Sequence, residues 1–235
     1  MHVAGVGIRS SHLTASDCFA EYQPVLLAQD LTTVVGLQSL LRTHDGPTDV
    51  RSLFATDDVE TLTSLNHVAT QVGLRDCPPL PGDAWLMVKV DAAVGRRTVL
   101  ALAHAVTGTR VRQDQIIIET RFTDQGGARG AEVLATLAAA RAQGMRTAIA
   151  AVDGSHSLRP FLVAADVVKL DQRLLDPHCE DEAREVAAAA RDGGLPLLAF
   201  GIETASDVAA AQLLGAVWLQ GRHLAPPSRT GRRRA

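Results

Sequence analysis

Several amide and ionisable side chains stand within or just after apolar runs. They are Gln38 in "VVGLQSLL" with Arg42 after it, Asp91 after "WLMVKV", Glu119 closing "QIIIE", Lys169 in "DVVKL" with Asp171 after it, Glu203 after "PLLAFGI", and Gln220 in "VWLQG". Carboxylates and amide oxygens suit hard divalent cations, and lysine or arginine suits phosphate. A charge inside an apolar strand is costly unless paired. These groups therefore form either a structural network, with Lys169 paired to Glu119 or Glu203, or a ligand site. Other clusters carry less. "DPHCEDE" at 176–182 gathers metal-ligating types, but acids at a helix start serve the helix dipole equally well. His44 and His156 suit acid–base work, yet no nucleophile stands at a readable spacing. "GVG" at 5–7 is too short for a nucleotide loop.

The runs that carry these groups span 22–28, 34–41, 85–90, 115–119, 147–152, 166–170, 196–202 and 217–221. They are continuously apolar, as strands buried on both faces are. Helical patterns lie between them. Residues 129–144 place Val133, Leu134 and Leu137 on one face, with Gly144 as terminator. Residues 180–194 open with acids and end in two glycines, and 205–215 have Ser206 as candidate N-cap and Gly215 as stop. Residues 50–74 are a further helix candidate. The pattern predicts an α/β fold, a (β/α)8 TIM-like barrel, with functional groups at the C-terminal ends of its strands. Only "QDLTT" separates the first two runs, too short for a parallel crossover, so the first strand is expected to be antiparallel.

Of the 235 residues, 46% are hydrophobic and only 3% aromatic, so Ala, Val and Leu must fill the core. The net charge of −3 supplies no field for nucleic acid or a membrane, and no apolar run approaches a membrane span. The exception is the basic end "SRTGRRRA", read as a solvated tail. Three separated cysteines without a CxxC suit free thiols in a reducing cytoplasm. No signal peptide is evident. The expected organisation is an N-terminal extension over 1–20, a barrel over 21–227 and a basic tail over 228–235.

Four motifs in three segments, in order, resemble the EAL domain, the family of cyclic-di-GMP phosphodiesterases, over nearly the whole chain. "EYQPVLLAQDLTTVVGLQSLLR" resembles the family's opening, in which YQP leads into E-A-L-x-R. "DVVKLDQRLLD" resembles the K-x-D strand, and "AFGIETASDVAAAQLLGAVWLQG" resembles A-E-G-V-E-T followed by L-G-x-x-x-x-Q-G. The resemblance implies an EAL-type barrel whose carboxylates hold Mg²⁺ or Mn²⁺, a lysine by the catalytic water and an arginine on phosphate.

Several of those positions differ here. Gln38 stands for the signature glutamate, Phe122 for the second glutamate of E-x-T-E, Ala150 and Ala151 for the two aspartates of D-D-F-G-T-G, and Phe200 for the first glutamate of A-E-G-V-E-T. Asp91 aligns with a metal-binding asparagine, while Glu119, Lys169, Asp171 and Glu203 remain. Two-metal hydrolysis needs anionic oxygens, so the expectation is a chain that is not an enzyme, with no catalytic residues, no metal and no cofactor. Its expected role is that of a degenerate, regulatory EAL-like protein acting through protein–protein binding, on a transcription regulator or signalling partner. The alternative is a non-hydrolysing receptor for cyclic-di-GMP or a related nucleotide through Gln23, Arg42, Lys169 and Gln220. Without metals, Lys169 would neutralise Glu119 and Glu203, and Arg42 would pair with Asp91. The resemblance also implies a dimer face around the loop after strand five, whose family pattern is missing from 150–160.

Overall fold

A computed structural model describes residues 13–44, 53–56, 58–122, 127–151 and 158–232; for Phe122, 127–129 and Ala151 it describes the backbone only. Eight strands close into one barrel in sequence order: β1 (Cys18–Leu27), β2 (Val34–Thr43), β3 (Trp85–Lys89), β4 (Ile116–Phe122), β5 (Arg146–Ala151), β6 (Val167–Asp171), β7 (Leu197–Phe200) and β8 (Trp218–Gln220). β1 is antiparallel to both β2 and β8, and every other neighbouring pair is parallel.

The hairpin between β1 and β2 has a local cause. Asp30 accepts hydrogen bonds from the backbone N–H groups of Thr32 and Thr33 and from the Thr33 hydroxyl, and Leu31 adopts φ 55°. An aspartate folding over the following amides is a turn device in its own right. The inverted β1 brings its N-terminal half, with Glu21 and Gln23, to the same end of the barrel as the C-terminal ends of β2 to β8. Gln23 stands directly opposite Gln38.

Side chains alternate strictly between two environments, as the period of a strand requires. Val25, Trp85, Met87, Ile117, Ala148, Val167 and Leu198 fill the barrel interior. Their neighbours Leu86, Val88, Ile116 and Ile118 pack under helices on one side, and Val168, Leu170, Leu197 and Ala199 on the other. Both tryptophans of the chain lie inside, Trp85 and Trp218, with ring centroids 5.4 Å apart. Gly36 makes room for them, since a Cβ there would fall within the Trp85 ring.

Outside lie α1 (Val59–Arg75), α2 (Gly95–Val106), α3 (Gly127–Ala142), the single turn α4 (Arg159–Leu162), α5 (Glu180–Asp192) and α6 (Ala205–Leu213). The expected helices at 50–74, 129–144, 180–194 and 205–215 correspond to α1, α3, α5 and α6. α2 was not anticipated, although its buried Val99, Leu102, Ala103 and Val106 have helical spacing. The N-cap of α6 is Thr204, not Ser206. Thr204 accepts from the Asp207 N–H while Asp207 accepts from the Thr204 N–H, a reciprocal box that Ser206 cannot form. The start of the basic end is not a free tail either. Ser228 pairs with Tyr22, and the Arg229 guanidinium lies 4.0 Å from the Phe19 ring centroid. Among the described residues no helix is long and apolar enough to cross a membrane, and Cys18, Cys77 and Cys179 are free thiols.

Candidate functional site

Above the apolar interior, the next inward positions are Gln23, Gln38, Glu119, Lys169 and Gln220. They join in one hydrogen-bonded chain. The Gln23 amide donates to the Ala225 carbonyl at 3.2 Å, and the Gln23 oxygen accepts from Gln220 at 3.2 Å. Gln220 also donates to the Gln38 oxygen at 2.7 Å, and the Gln38 amide donates to Glu119 Oε2 at 2.7 Å. Lys169 Nζ closes the chain, 2.7 Å from the same Glu119 oxygen and 3.3 Å from the Gln38 oxygen. Glu119 and Lys169 are almost wholly withdrawn from water, their side chains 5% and 1% exposed. Phe200 covers the ammonium, whose nitrogen lies 4.6 Å from the ring centroid.

This arrangement explains why an amide stands at position 38. Gln38 gives a hydrogen to the carboxylate and an oxygen to the ammonium, so one side chain serves both ions, where a glutamate would add an unbalanced charge. Burial by itself would raise the Glu119 pKa. The charge and hydrogen bond of Lys169, reinforced by Lys89 and Arg121, outweigh burial and hold the carboxyl below its usual range.

The remaining expected residues are placed elsewhere. Arg42 does not pair with Asp91. Its Nε lies 2.9 Å from Glu21 and its Nη1 donates to the Leu41 carbonyl, because the hairpin brings Glu21 to the mouth. Asp91 lies beyond the end of β3, where its carboxylate accepts the Ala93 N–H and caps a short 3-10 turn over Ala92–Val94. Asp171 does the same for the turn over Gln172–Leu175 and pairs with Arg173. Glu203 is exposed and does not join Lys169, so the sharing of Lys169 between two glutamates is not observed. Ala150 is buried beside Lys169 in the β5–β6 register. Phe122 and Ala151 are register partners, with their side chains outside the described residues, and His156 lies outside them entirely. His44 stacks near Phe19 on the outer rim, its ring centroid 5.1 Å away. The acids of "DPHCEDE" occupy the first turn of α5, and among the described residues no group of three His, Cys, Asp or Glu is placed to hold a metal.

Two mouth residues escaped sequence reasoning. β3 ends at Lys89, which sits opposite Glu119 in the β3–β4 register. The inward end of that strand is therefore Lys89 rather than Asp91. Two residues past Glu119 on the same face of β4 is Arg121, opposite Ala150. Both are exposed at the mouth. The signal was available: Trp85, Met87 and Lys89 share one strand face, as do Ile117, Glu119 and Arg121.

The resemblance implies divalent metal at this mouth, and the donors present do not fit it. The Glu119 oxygen already receives an amide hydrogen and an ammonium, and the Gln38 oxygen receives an amide hydrogen and the same ammonium. A hard cation would have to displace positive donors from both oxygens.

These features define a (β/α)8 barrel with one inverted strand and a polar, cation-bearing mouth, which is the fold of the EAL domain. The "EAL Enzyme Bd1971" structure solved with cAMP and cyclic-di-GMP superposes with a TM-score of 0.75 at 16% identity, over 92% of this chain and 63% of that one. The PaMucR phosphodiesterase in complex with c-di-GMP gives 0.75 at 20% identity, over 90% and 97%. The Bacillus subtilis YkuI protein, with an EAL domain, c-di-GMP and calcium, gives 0.76 at 21%, over 92% and 56%. This chain thus spans about three fifths of the Bd1971 chain. No family model and no curated protein matches the sequence. The expectation of a chain that is not an enzyme is corrected by these neighbours. They are described as an EAL enzyme and as a phosphodiesterase, so the shared architecture is one that carries enzymes, and the replaced carboxylates alone do not make this chain a non-enzyme.

Proposed function

We propose that the chain is a cyclic-di-GMP signalling protein that binds the cyclic dinucleotide at the barrel mouth. The observation that carries this is the fold. Some nine tenths of the chain superposes on barrels solved with that nucleotide, and the polar side chains converge at the end of the barrel where such folds hold their ligands. Titration calorimetry with cyclic-di-GMP, run with Ca²⁺ and again in a chelator, tests it. A saturable heat with a 1:1 midpoint supports the reading, and no heat under either condition removes it. Chromatography of the same mixtures for a ring-opened dinucleotide reads any turnover. Signalling also needs an output, which we assign to a protein partner that distinguishes the bound from the free form. Co-precipitation from the native host with and without the nucleotide should return a set that changes, and an unchanged set excludes that part.

A further inference from the structure

Among the described residues, the mouth holds more positive charge than ion pairs consume. Lys169 is spent on Glu119, and Arg42 on Glu21. Lys89 and Arg121 have no ion-pair partner among the described residues, and both are exposed. They come from adjacent strands, Lys89 opposite Glu119 and Arg121 one inward step beyond it, beside the buried ion pair. Ala150 stands opposite both Arg121 and Lys169 and brings no carboxylate to oppose them. Among the described residues Asp91 also acts on Lys89, and its carboxylate accepts the Ala93 N–H.

From this placement we infer that Lys89 and Arg121 form an anion site for the phosphodiester of a cyclic dinucleotide, so that side-chain cations do the charge neutralisation a divalent metal would otherwise do. The inference rests on the function proposed above and adds its recognition chemistry. Arg121 offers a planar fork that matches two phosphate oxygens, and Lys89 a compact charge beside it. Lys169 lies below them as a fixed positive floor. The electrostatics agree: desolvation lowers the Lys89 pKa, and the nearby Arg121 and Lys169 charges add to this against the opposing pull of Glu119 and Asp91. An arriving anion would relieve the like-charge repulsion.

The test is calorimetry on the full chain in EDTA and in excess Mg²⁺, comparing wild type, Lys89→Met, Arg121→Met and the double variant, with cyclic-di-GMP and separately with inorganic pyrophosphate. Expected is wild-type binding unchanged by EDTA, weakened about tenfold or more by either single change, lost in the double variant, and falling steeply with added salt. Thermal melts of the variants verify folding. Binding of cyclic-di-GMP that requires Mg²⁺ and ignores both substitutions would overturn the inference while leaving the proposed function intact. Pyrophosphate binding that depends on Lys89 and Arg121, without any cyclic-di-GMP binding, would keep the anion site and remove the function. No binding of either probe overturns both.

Discussion

Two layers of the same barrel use cations in opposite ways. In the lower layer Lys169 is sealed among Glu119, Gln38 and the Phe200 ring, with every strong hydrogen bond made inside the protein. In the upper layer Lys89 and Arg121 face solvent with no ion partner among the described residues. The layers are a single side-chain step apart, yet one charge is part of the scaffold and the other is free to meet a ligand. Residue type alone does not separate the two roles. Depth does, because desolvation forces a partner on a buried ion and asks nothing of an exposed one.

Removing the buried cation tests the contrast most severely. Lys169→Met strands the Glu119 carboxylate, and we expect a loss of about 3–5 kcal/mol in urea-melt stability. Adding Glu119→Gln to that variant should recover much of it, since the two sites are coupled. A double variant no more stable than the single would show that the pair is not a unit. Below the pair, Gly36→Ala drives a methyl into Trp85 and should cost about 1–3 kcal/mol. An unchanged melt would mean that the Trp85 ring swings aside freely.

The acid limb of stability is a finer probe. The Glu119 pKa is depressed in the folded state, so its contribution is complete above the ordinary glutamate pKa and is lost as pH falls through the lower folded value. Wild type should therefore keep this contribution at neutral pH and lose it progressively only as pH falls below the ordinary glutamate value of about 4.5. Glu119→Gln, already weaker at neutral pH, should show a flatter limb. Parallel limbs would remove Glu119 as a source of the slope. The smallest effect belongs to the upper layer, where Lys89→Met and Arg121→Met should each shift stability by no more than about 0.5 kcal/mol, although each is expected to weaken ligand binding. A large destabilisation by either would erase the distinction between the layers.

Much of this was legible in the chain. Continuous apolar runs marked all eight strands, and "QDLTT" announced the inverted first one, because strand burial and connection length are local properties of sequence. That Lys169 needs a glutamate partner also followed, since a lysine deep in a strand leaves few choices, but the sequence offered both Glu119 and Glu203 and the structure uses only Glu119. Arg42 was assigned the wrong acid because its partner is chosen by hairpin register, which sets Glu21 beside it. Lys89 was passed over for Asp91 because family spacing says nothing of where β3 stops, and it stops before the aspartate turns to cap the next segment. Ser206 lost the helix cap to Thr204 by two residues, the ordinary margin for a terminus.

The inverted first strand has one more consequence. β1 and β2 are matched along most of their length, whereas β1 meets β8 at only Leu26 with Leu219 and Leu27 with Trp218. The join of β1 to β8 is short, as are β2–β3 and β7–β8 with three register pairs each, but it ties segments nearly a whole chain apart, and Tyr22 with Ser228 and Gln23 with Ala225 and Gln220 extend it. Bringing such distant segments together carries the loop-closure entropy of the intervening chain, so we expect the cylinder to form as a curled sheet that latches late along this line, which hydrogen exchange at Ala28, whose N–H donates to the Val217 carbonyl, would check.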